Sequence, residues 1–213
     1  LASLHPFSYD AFQQRAIEVI DRNISLLLAA PTGSGKTVIA DYVIAKTVQQ
    51  ERQVIYTAPI KALSNQKFRD FSAKAGDRVG IMTGDVTINP RAQILIMTTE
   101  IYRNTLLEDP ERLSACGWVI FDEIHYLDDP ERGTVWEEAL MFTPKHINVL
   151  ALSATIPNAD QLASWIREVH GRPIEVIVET NRPVPLHMLF QSQNTVFKNP
   201  QELRVGGFHG RED

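Results

Sequence analysis

The chain has 213 residues, of which 44% are hydrophobic, and a formal net charge of −5. This composition is typical of a globular protein with a substantial core, and it argues against intrinsic disorder and against a strongly basic nucleic-acid binder. No apolar run approaches the roughly 20 residues that span a bilayer, so we expect no membrane partner. The single cysteine, Cys116, excludes an internal disulfide and a cysteine-based zinc site. We therefore expect it to be packed in the core of a cytoplasmic protein.

Short apolar runs alternate with helical patterns from residue 10 to about residue 178. Strands that are short, continuously apolar and β-branched, and that alternate with helices, indicate an α/β fold with a mostly parallel sheet covered by helices on both faces. Ligands of such sheets bind beyond the carboxyl ends of the strands. The predicted helices are 10–22, 38–50, 60–75, 100–107, 136–142 and 159–169, and the predicted strands are 26–29, 54–57, 79–83, 94–97, 118–121, 149–152 and 174–178.

A glycine-rich segment separates the first predicted strand from the second helix. It follows the phosphate-loop pattern G-x-x-x-x-G-K-[ST], except that alanine replaces the first glycine. Backbone amides, a lysine, a hydroxyl and a helix N-terminus at one point suit a nucleoside triphosphate with its Mg²⁺. A chance glycine-rich turn is the alternative. The expected nucleotide-binding residues here are Ala30, Pro31, Thr32, Gly33, Ser34, Gly35, Lys36 and Thr37.

An acidic pair, Asp122 and Glu123, follows the apolar strand predicted at 118–121. In a parallel sheet this position lies at the same edge as the phosphate loop, so Asp122 can hold Mg²⁺ together with the Thr37 hydroxyl. Glu123 can orient or deprotonate a water that attacks the γ-phosphate. A solvated acidic loop is the alternative. With the phosphate loop, the pair predicts an ATPase site whose catalytic residues are Lys36, Asp122 and Glu123.

The regular alternation ends near Thr180. Two prolines in the segment 181–185 cannot continue a helix or a central strand. We therefore expect one domain over residues 1–180, and a linker over residues 181–213 that leads toward a further domain.

Several separated segments resemble the motifs of superfamily 2 helicases, in the family order. Asp122-Glu123-Ile124-His125 is similar to the DExH box, and the phosphate loop is similar to the first motif. The segment 121–138, with Asp129, Arg132, Gly133 and Trp136, resembles the superkiller-type branch associated with RNA decay. The other matching segments are 57–63, 83–85, 98–101 and 153–155.

This resemblance implies a RecA-like domain and adds candidate ATP contacts outside the phosphate loop. In the family, Gln13 would bind the adenine edge, because an amide offers both a donor and an acceptor. Gln14, one residue on, can exchange roles with Gln13. Phe7 would stack on the adenine ring. A surface or core role is the alternative for each of these residues.

The resemblance also implies a path for single-stranded RNA along the sugar–phosphate backbone, and a group of residues that couples this path to the ATP site. Ordinary cap and turn roles are the alternative for several of the RNA candidates. His125, Ser153 and Thr155 would relay the presence of the γ-phosphate. The candidate RNA-binding residues are Pro59, Lys61, Gly84, Asp85, Thr99, Glu100 and Arg103.

We thus expect the first of two RecA-like motor domains of an ATP-dependent RNA helicase that moves 3′ to 5′ on single-stranded RNA. Its partners would be a second RecA-like domain, accessory domains and an RNA-decay complex. The second domain normally supplies an arginine to the transferred phosphate, so this chain should bind nucleotide, hydrolyse it slowly and not unwind duplexes. The alternatives are a DNA helicase or translocase of the same superfamily, and a nucleotide-dependent switch without motor activity.

Overall fold

The computed structural model describes residues 4–125 and 133–181, and the backbone of residues 190–192 and 195–197. The chain divides into two units, Leu1–Asn181 and Arg182–Asp213. In the second unit, strand β9 (Phe190–Ser192) pairs antiparallel with strand β10 (Thr195–Phe197). The linker expected over 181–213 stays a prediction. Asp129 and Arg132, which the sequence analysis singled out, lie outside the described residues.

The described part of the first unit is built on one sheet of eight strands, in the order β4-β3-β5-β2-β6-β7-β1-β8. Every neighbouring pair is parallel except β3 and β4. The carboxyl ends of the seven parallel strands therefore lie at one edge. The strands are β1 (Ser25–Ala29), β2 (Gln53–Ala58), β3 (Val79–Met82), β4 (Thr87–Ile88), β5 (Ile94–Thr98), β6 (Cys116–Phe121), β7 (Asn148–Ser153) and β8 (Ile174–Val178).

Helices cover both faces of this sheet, and each face has its own apolar core. On β1, Leu26 and Leu28 face helices α1 to α3, whereas Leu27 and Ala29 face helices α4 to α6. Successive strand residues point to opposite faces, so a fully buried strand must be apolar throughout. The helices are α1 (Ala11–Asp21), α2 (Lys36–Gln49), α3 (Lys61–Ala75), α4 (Thr99–Glu108), α5 (Gly133–Phe142) and α6 (Ala159–His170).

The predicted α/β fold is confirmed, with one strand missed and several elements that begin earlier than predicted, among them helix α5 by three residues and strand β6 by two. Strand β4 was not predicted, because it has two residues and both are exposed, which gives no apolar pattern. Helix α2 begins at Lys36, two residues before the prediction, inside the phosphate loop. Cys116 is buried as expected, and burial raises the pKa of its thiol to about 12. Among the described residues, the structure contains no helix with the length and apolar character needed to cross a membrane.

We predict that Gly80→Ala destabilises the sheet edge by about 1–3 kcal/mol, because overpacking forces backbone shifts. A Cβ at Gly80, in β3, would lie 2.0 Å from the backbone oxygen of Asn89. The measurement is urea denaturation of the 213-residue chain. Gly84→Ala is the matched control, since a Cβ there meets only the Lys61 side chain, at 3.6 Å, and its effect should stay within about 0.5 kcal/mol. Equal denaturation midpoints for the two variants would contradict the prediction.

Candidate functional site

Three neighbouring strands bring the sequence-predicted ATP-site residues to one edge of the sheet. Strand β7 lies between β1, which leads into the phosphate loop, and β6, which leads into Asp122. Ala29 is in register with Ser153 at the end of β7, and the backbone N–H of Ala30 donates to the Ser153 carbonyl oxygen at 3.1 Å. The loop, the 153–155 segment and the acidic pair therefore start from adjacent strand ends.

The glycines of the phosphate loop adopt backbone angles that favour glycine. Gly33 has φ +83° and Gly35 has φ +91°. A Cβ at Gly35 would also lie 2.6 Å from Nε2 of Gln13, so a side chain there would be strained by the backbone angle and would displace the Gln13 amide. Ala30, which replaces the first glycine of the pattern, has no positive φ, and alanine fits there without strain.

The loop also contains polar groups that suit a bound phosphate. The Ser34 hydroxyl is buried and has no hydrogen-bond partner among the described residues, and such groups normally find one. Thr37, in the first turn of α2, is exposed. The N-terminus of this 14-residue helix directs backbone N–H groups toward the loop.

Lys36 connects the loop electrostatically to the acidic pair. Its ammonium donates to the carbonyl oxygens of Ala30 at 2.6 Å and Pro31 at 3.1 Å. Burial lowers the pKa of Lys36 below its ordinary value, while the charges of Glu123 and Asp122 act in the opposite direction. The lysine and both carboxylates therefore lie at one sheet edge, close enough to act on each other electrostatically.

The acidic pair is held by strand β2. The Asp122 backbone N–H donates to the Thr57 carbonyl oxygen at 3.1 Å, and the Asp122 Oδ2 atom accepts a short hydrogen bond from the Tyr56 hydroxyl. Glu123 has φ +58°, in the left-handed region. Its Oε2 atom lies 3.4 Å from Nδ1 of His125.

Sequence reasoning missed Tyr56, because an aromatic residue inside an apolar strand looks like an ordinary core residue. Burial raises the pKa of its phenol well above the usual value, and the hydrogen-bonded Asp122 carboxylate acts in the same direction. The hydroxyl therefore remains a donor to Asp122 at neutral pH.

Gln13 lies next to the phosphate loop and Gln14 does not. The Gln13 side chain is 4% exposed. Its Oε1 atom accepts from the Asp10 backbone N–H at 2.9 Å, and its Nε2 atom donates to the Gly35 carbonyl oxygen at 3.4 Å. Gln14 is exposed and donates to the Tyr9 carbonyl oxygen. The structure therefore favours Gln13 as the site residue of the two.

Phe7 presents half of its surface to solvent, which suits a stacking residue. Its ring centroid lies 5.1 Å from that of His5 and 6.1 Å from that of Tyr9, and His5 also hydrogen-bonds the Tyr9 hydroxyl. The sequence pattern indicates no role for His5 and Tyr9. They form the aromatic surroundings of Phe7.

The candidate RNA-binding residues Lys61, Gly84 and Asp85 meet at the carboxyl edge. The Lys61 ammonium lies 2.5 Å from Oδ2 of Asp85, and both side chains are mostly exposed. Lys61 also passes close to Gly84. Pro59 is half-buried and lies two residues before the start of helix α3. An exposed ion pair contributes little to stability, so Lys61 can exchange its partner for a phosphate at low cost.

The other candidate RNA contacts lie at helix α4, and two of them, Thr99 and Arg103, already have protein partners. Thr99 is buried, and its hydroxyl donates to the Ala58 carbonyl oxygen at 3.5 Å. A contact from Thr99 would therefore use its backbone. Arg103 pairs with Glu138 of α5 at 3.1 Å. Glu100, in the first turn of α4, is exposed. Phosphate binding by these residues stays a prediction.

The residues of the expected relay differ in exposure. Ser153 is fully buried at the end of β7, and its Oγ atom has no hydrogen-bond partner among the described residues. Thr155 is exposed. Ser153 can therefore gain a hydrogen bond when a ligand or a neighbouring segment moves, which suits the relay predicted from the sequence.

The donor atoms present fit Mg²⁺ bound together with a nucleotide. The described residues contain no group of three or more His, Cys, Asp or Glu side chains that could hold a metal alone. Magnesium usually takes one or two protein oxygens and completes its shell with waters and phosphates. The Thr37 hydroxyl and the Asp122 carboxylate supply oxygens of this kind.

Comparison with known proteins agrees with this geometry. Residues 10–162 match the model of the family described as DEAD/DEAH box helicase. The chain belongs to the DEAD/DEAH box helicase family. It is 52% identical over 192 residues to the ATP-dependent RNA helicase mtr4 of Schizosaccharomyces pombe, covering 90% of this chain and 17% of that protein. It is 50% identical over 207 residues to the human Superkiller complex protein 2, covering 95% of this chain and 16% of that protein. The resemblance to superfamily 2 helicases of the superkiller type is thereby confirmed.

Solved structures share the fold. The Mycobacterium smegmatis helicase Lhr, bound to single-stranded DNA and AMP-PNP, has a TM-score of 0.65 and 25% identity, covering 81% of this chain and 26% of that chain. The DNA-bound helicase MrfA has a TM-score of 0.68 and 17% identity, covering 84% of this chain and 28% of that chain. The chain spans 16–19% of the length of the curated relatives it matches.

We predict that Gln13→Ala weakens ATP binding to the 213-residue chain by about tenfold, the value of one or two lost hydrogen bonds. The variant removes the amide that contacts both the start of α1 and the loop at Gly35. The measurement is titration calorimetry with ATP. Gln14→Ala serves as the matched control and should leave the affinity unchanged. A larger loss for Gln14→Ala than for Gln13→Ala would reverse the assignment.

Proposed function

We propose that this chain is the ATP-binding motor domain of an ATP-dependent RNA helicase, the first of two RecA-like domains. The observation that carries the proposal is that the phosphate loop with Lys36 and the pair Asp122 and Glu123 follow strands β1 and β6, which end at one edge of the sheet on either side of β7. The domain extends over residues 1–180, and residues 181–213 lead toward the second domain. The site acts on ATP, with water attacking the γ-phosphate.

The roles of the protein groups follow from their chemistry. Lys36 leaves the carbonyl oxygens of the loop and neutralises charge on the β- and γ-phosphates. Thr37 and Asp122 would hold Mg²⁺, which supplies Lewis-acid stabilisation when it is bound. Glu123 orients the attacking water or accepts its proton, and His125 lies beside it. Phe7 and Gln13 hold the adenine base.

Single-stranded RNA is the proposed second substrate. It is supported by the relatives at about 50% identity, one of which is described as an ATP-dependent RNA helicase. The strand would cross the carboxyl edge at helices α3 and α4, where contacts go to the backbone and carry little sequence preference. Pro59, Lys61, Gly84, Asp85, Thr99, Glu100 and Arg103 line the proposed path, where Asp85 acts as the ion-pair partner of Lys61. Ser153 and Thr155 couple this path to the ATP site.

Motor activity requires more than this chain. Helicase movement 3′ to 5′ needs closure of two domains around ATP, and an arginine from the second domain is worth on the order of 10³–10⁵ in rate. We therefore propose that the 213-residue chain binds ATP, hydrolyses it slowly and does not separate strands. The whole protein would act in an RNA-decay assembly. Such an assembly is suggested by the human relative named for the superkiller complex, and the cytoplasmic setting stays a prediction.

A DNA helicase is the second candidate, favoured by the similarity to the DNA-bound Lhr structure. The two differ in their use of the ribose 2′-hydroxyl, which only RNA offers. A nucleotide switch without motor activity has no need for the segments at Pro59 and Ser153 and is less favoured.

The decisive measurement is ATP hydrolysis by the full-length protein with single-stranded RNA or single-stranded DNA of equal length and sequence. We predict that single-stranded RNA stimulates ATP hydrolysis. We also predict that Glu123→Gln lowers kcat by at least about 100-fold and retains the ATP affinity, because a general base contributes this much to the rate. Stronger stimulation by DNA would support the second candidate. If neither polymer stimulates ATP hydrolysis, the result would support the nucleotide switch. If Glu123→Gln has unchanged turnover, Glu123 does not orient or deprotonate the attacking water.

The ion pair between Lys61 and Asp85 gives a prediction for the RNA contacts. Lys61→Ala should weaken single-stranded RNA binding by the full-length protein and lower the slope of log affinity against log salt by about 0.7, as one phosphate contact is lost. Asp85→Asn should instead raise the affinity by about twofold, because a negative charge near the phosphates is removed. The measurement is fluorescence anisotropy at several salt concentrations. Weaker RNA binding by Asp85→Asn would assign the Asp85 carboxylate a direct contact with the strand.

A further inference from the structure

Tyr56 is a buried residue that the proposed mechanism does not use, although it touches the ATP site. Its side chain is 1% exposed, in the core beneath helices α1 to α3. Its hydroxyl donates to Oδ2 of Asp122. Tyr56 is in register with Ile120 of the neighbouring strand β6, and Asp122 is the first residue after that strand. The side chains of Tyr56 and Ile120 lie on the same face of the sheet.

This hydrogen bond is the second contact that attaches Asp122 to strand β2. The backbone N–H of Asp122 already donates to the Thr57 carbonyl oxygen on β2. With Oδ2 engaged by the phenol, Oδ1 would be the carboxylate oxygen offered to Mg²⁺. Partners of this kind orient a metal ligand, and their loss typically reduces metal affinity by 10–100-fold.

The ring of Tyr56 is held by helix α3. Its centroid lies 5.4 Å from that of Phe71 in an edge-to-face arrangement, and the Lys67 ammonium lies 5.3 Å from the ring centroid. A buried ring between two such neighbours has little freedom to rotate away from Asp122. The hydroxyl is thus presented to the carboxylate by the packing of α3.

We propose that Tyr56 is a positioning residue for Asp122, and that its hydroxyl orients the carboxylate for the magnesium ion of the bound nucleotide. The inference rests on the proposed function, since it concerns the same ATP site. It requires that loss of the hydroxyl changes the dependence of nucleotide binding on Mg²⁺, and leaves nucleotide binding without Mg²⁺ unchanged.

The test compares Tyr56→Phe with the wild-type 213-residue chain, by titration calorimetry with ATP at several concentrations of free Mg²⁺ and in EDTA. The variant keeps the ring and removes only the hydroxyl. The Mg²⁺ concentration for half-maximal enhancement of ATP binding should rise on the order of tenfold, with equal affinities in EDTA. In an Asp122→Asn background, Tyr56→Phe should have no further effect on the Mg²⁺ dependence, because the two residues act as one unit.

Tyr42→Phe is the matched control, because the buried Tyr42 hydroxyl also donates to an aspartate, Asp21, at 2.8 Å. It should lower the thermal midpoint as Tyr56→Phe does, without changing the Mg²⁺ dependence. If the Tyr56→Phe chain folds and its ATP binding has the wild-type dependence on Mg²⁺, the inference is wrong and the proposed function is unaffected. A shift of equal size in Tyr42→Phe also overturns it, by indicating a general loss of stability. A wild-type chain that does not bind ATP with Mg²⁺ overturns the proposed function as well.

Discussion

Parallel pairing of β6, β7 and β1 is the constraint on which the candidate site depends. Because these strands run in one direction, the chain leaves each of them at the same edge, and three chemically different segments begin side by side. The register of Ala29 with Ser153 sets how far each segment projects. A slip of one residue would send every side chain of a strand to the opposite face. Continuous apolar burial on both faces resists such a slip, so the core that stabilises the sheet also aligns the site.

Electrostatic preorganisation is the second property of this edge. Lys36 is partly removed from water, and its ammonium is held by two carbonyl oxygens of its own loop. The nearby carboxylates favour the charged lysine, and burial opposes it. A cation in such surroundings interacts with phosphate oxygens more strongly than a solvated lysine does. The fold thus prepares a positive group next to two negative ones before any ligand arrives.

The sequence predicted the seven parallel strands, and it predicted that the phosphate loop and the acidic pair follow strands of one sheet edge, because apolar runs and glycine-rich loops are local signals. It did not predict which side chains hold those residues in place. The contact of Tyr56 with Asp122 joins residues 66 positions apart, and the contact of Arg103 with Glu138 joins helices α4 and α5. The pairing of Lys61 with Asp85 likewise depends on the start of helix α3 lying next to the loop between β3 and β4. Such contacts arise from tertiary packing, and spacing along the chain does not indicate them.

The left-handed backbone at Glu123 has a consequence for how this site can change. A residue with a Cβ in that region costs roughly 1–2 kcal/mol compared with the usual helical conformation, and glycine adopts it freely. Replacement of Glu123 by glycine would therefore relax the turn while deleting the carboxylate. Stability and catalysis make opposite demands at this position. A search for more heat-resistant variants that ignored turnover would tend to discard the residue on which turnover is proposed to depend.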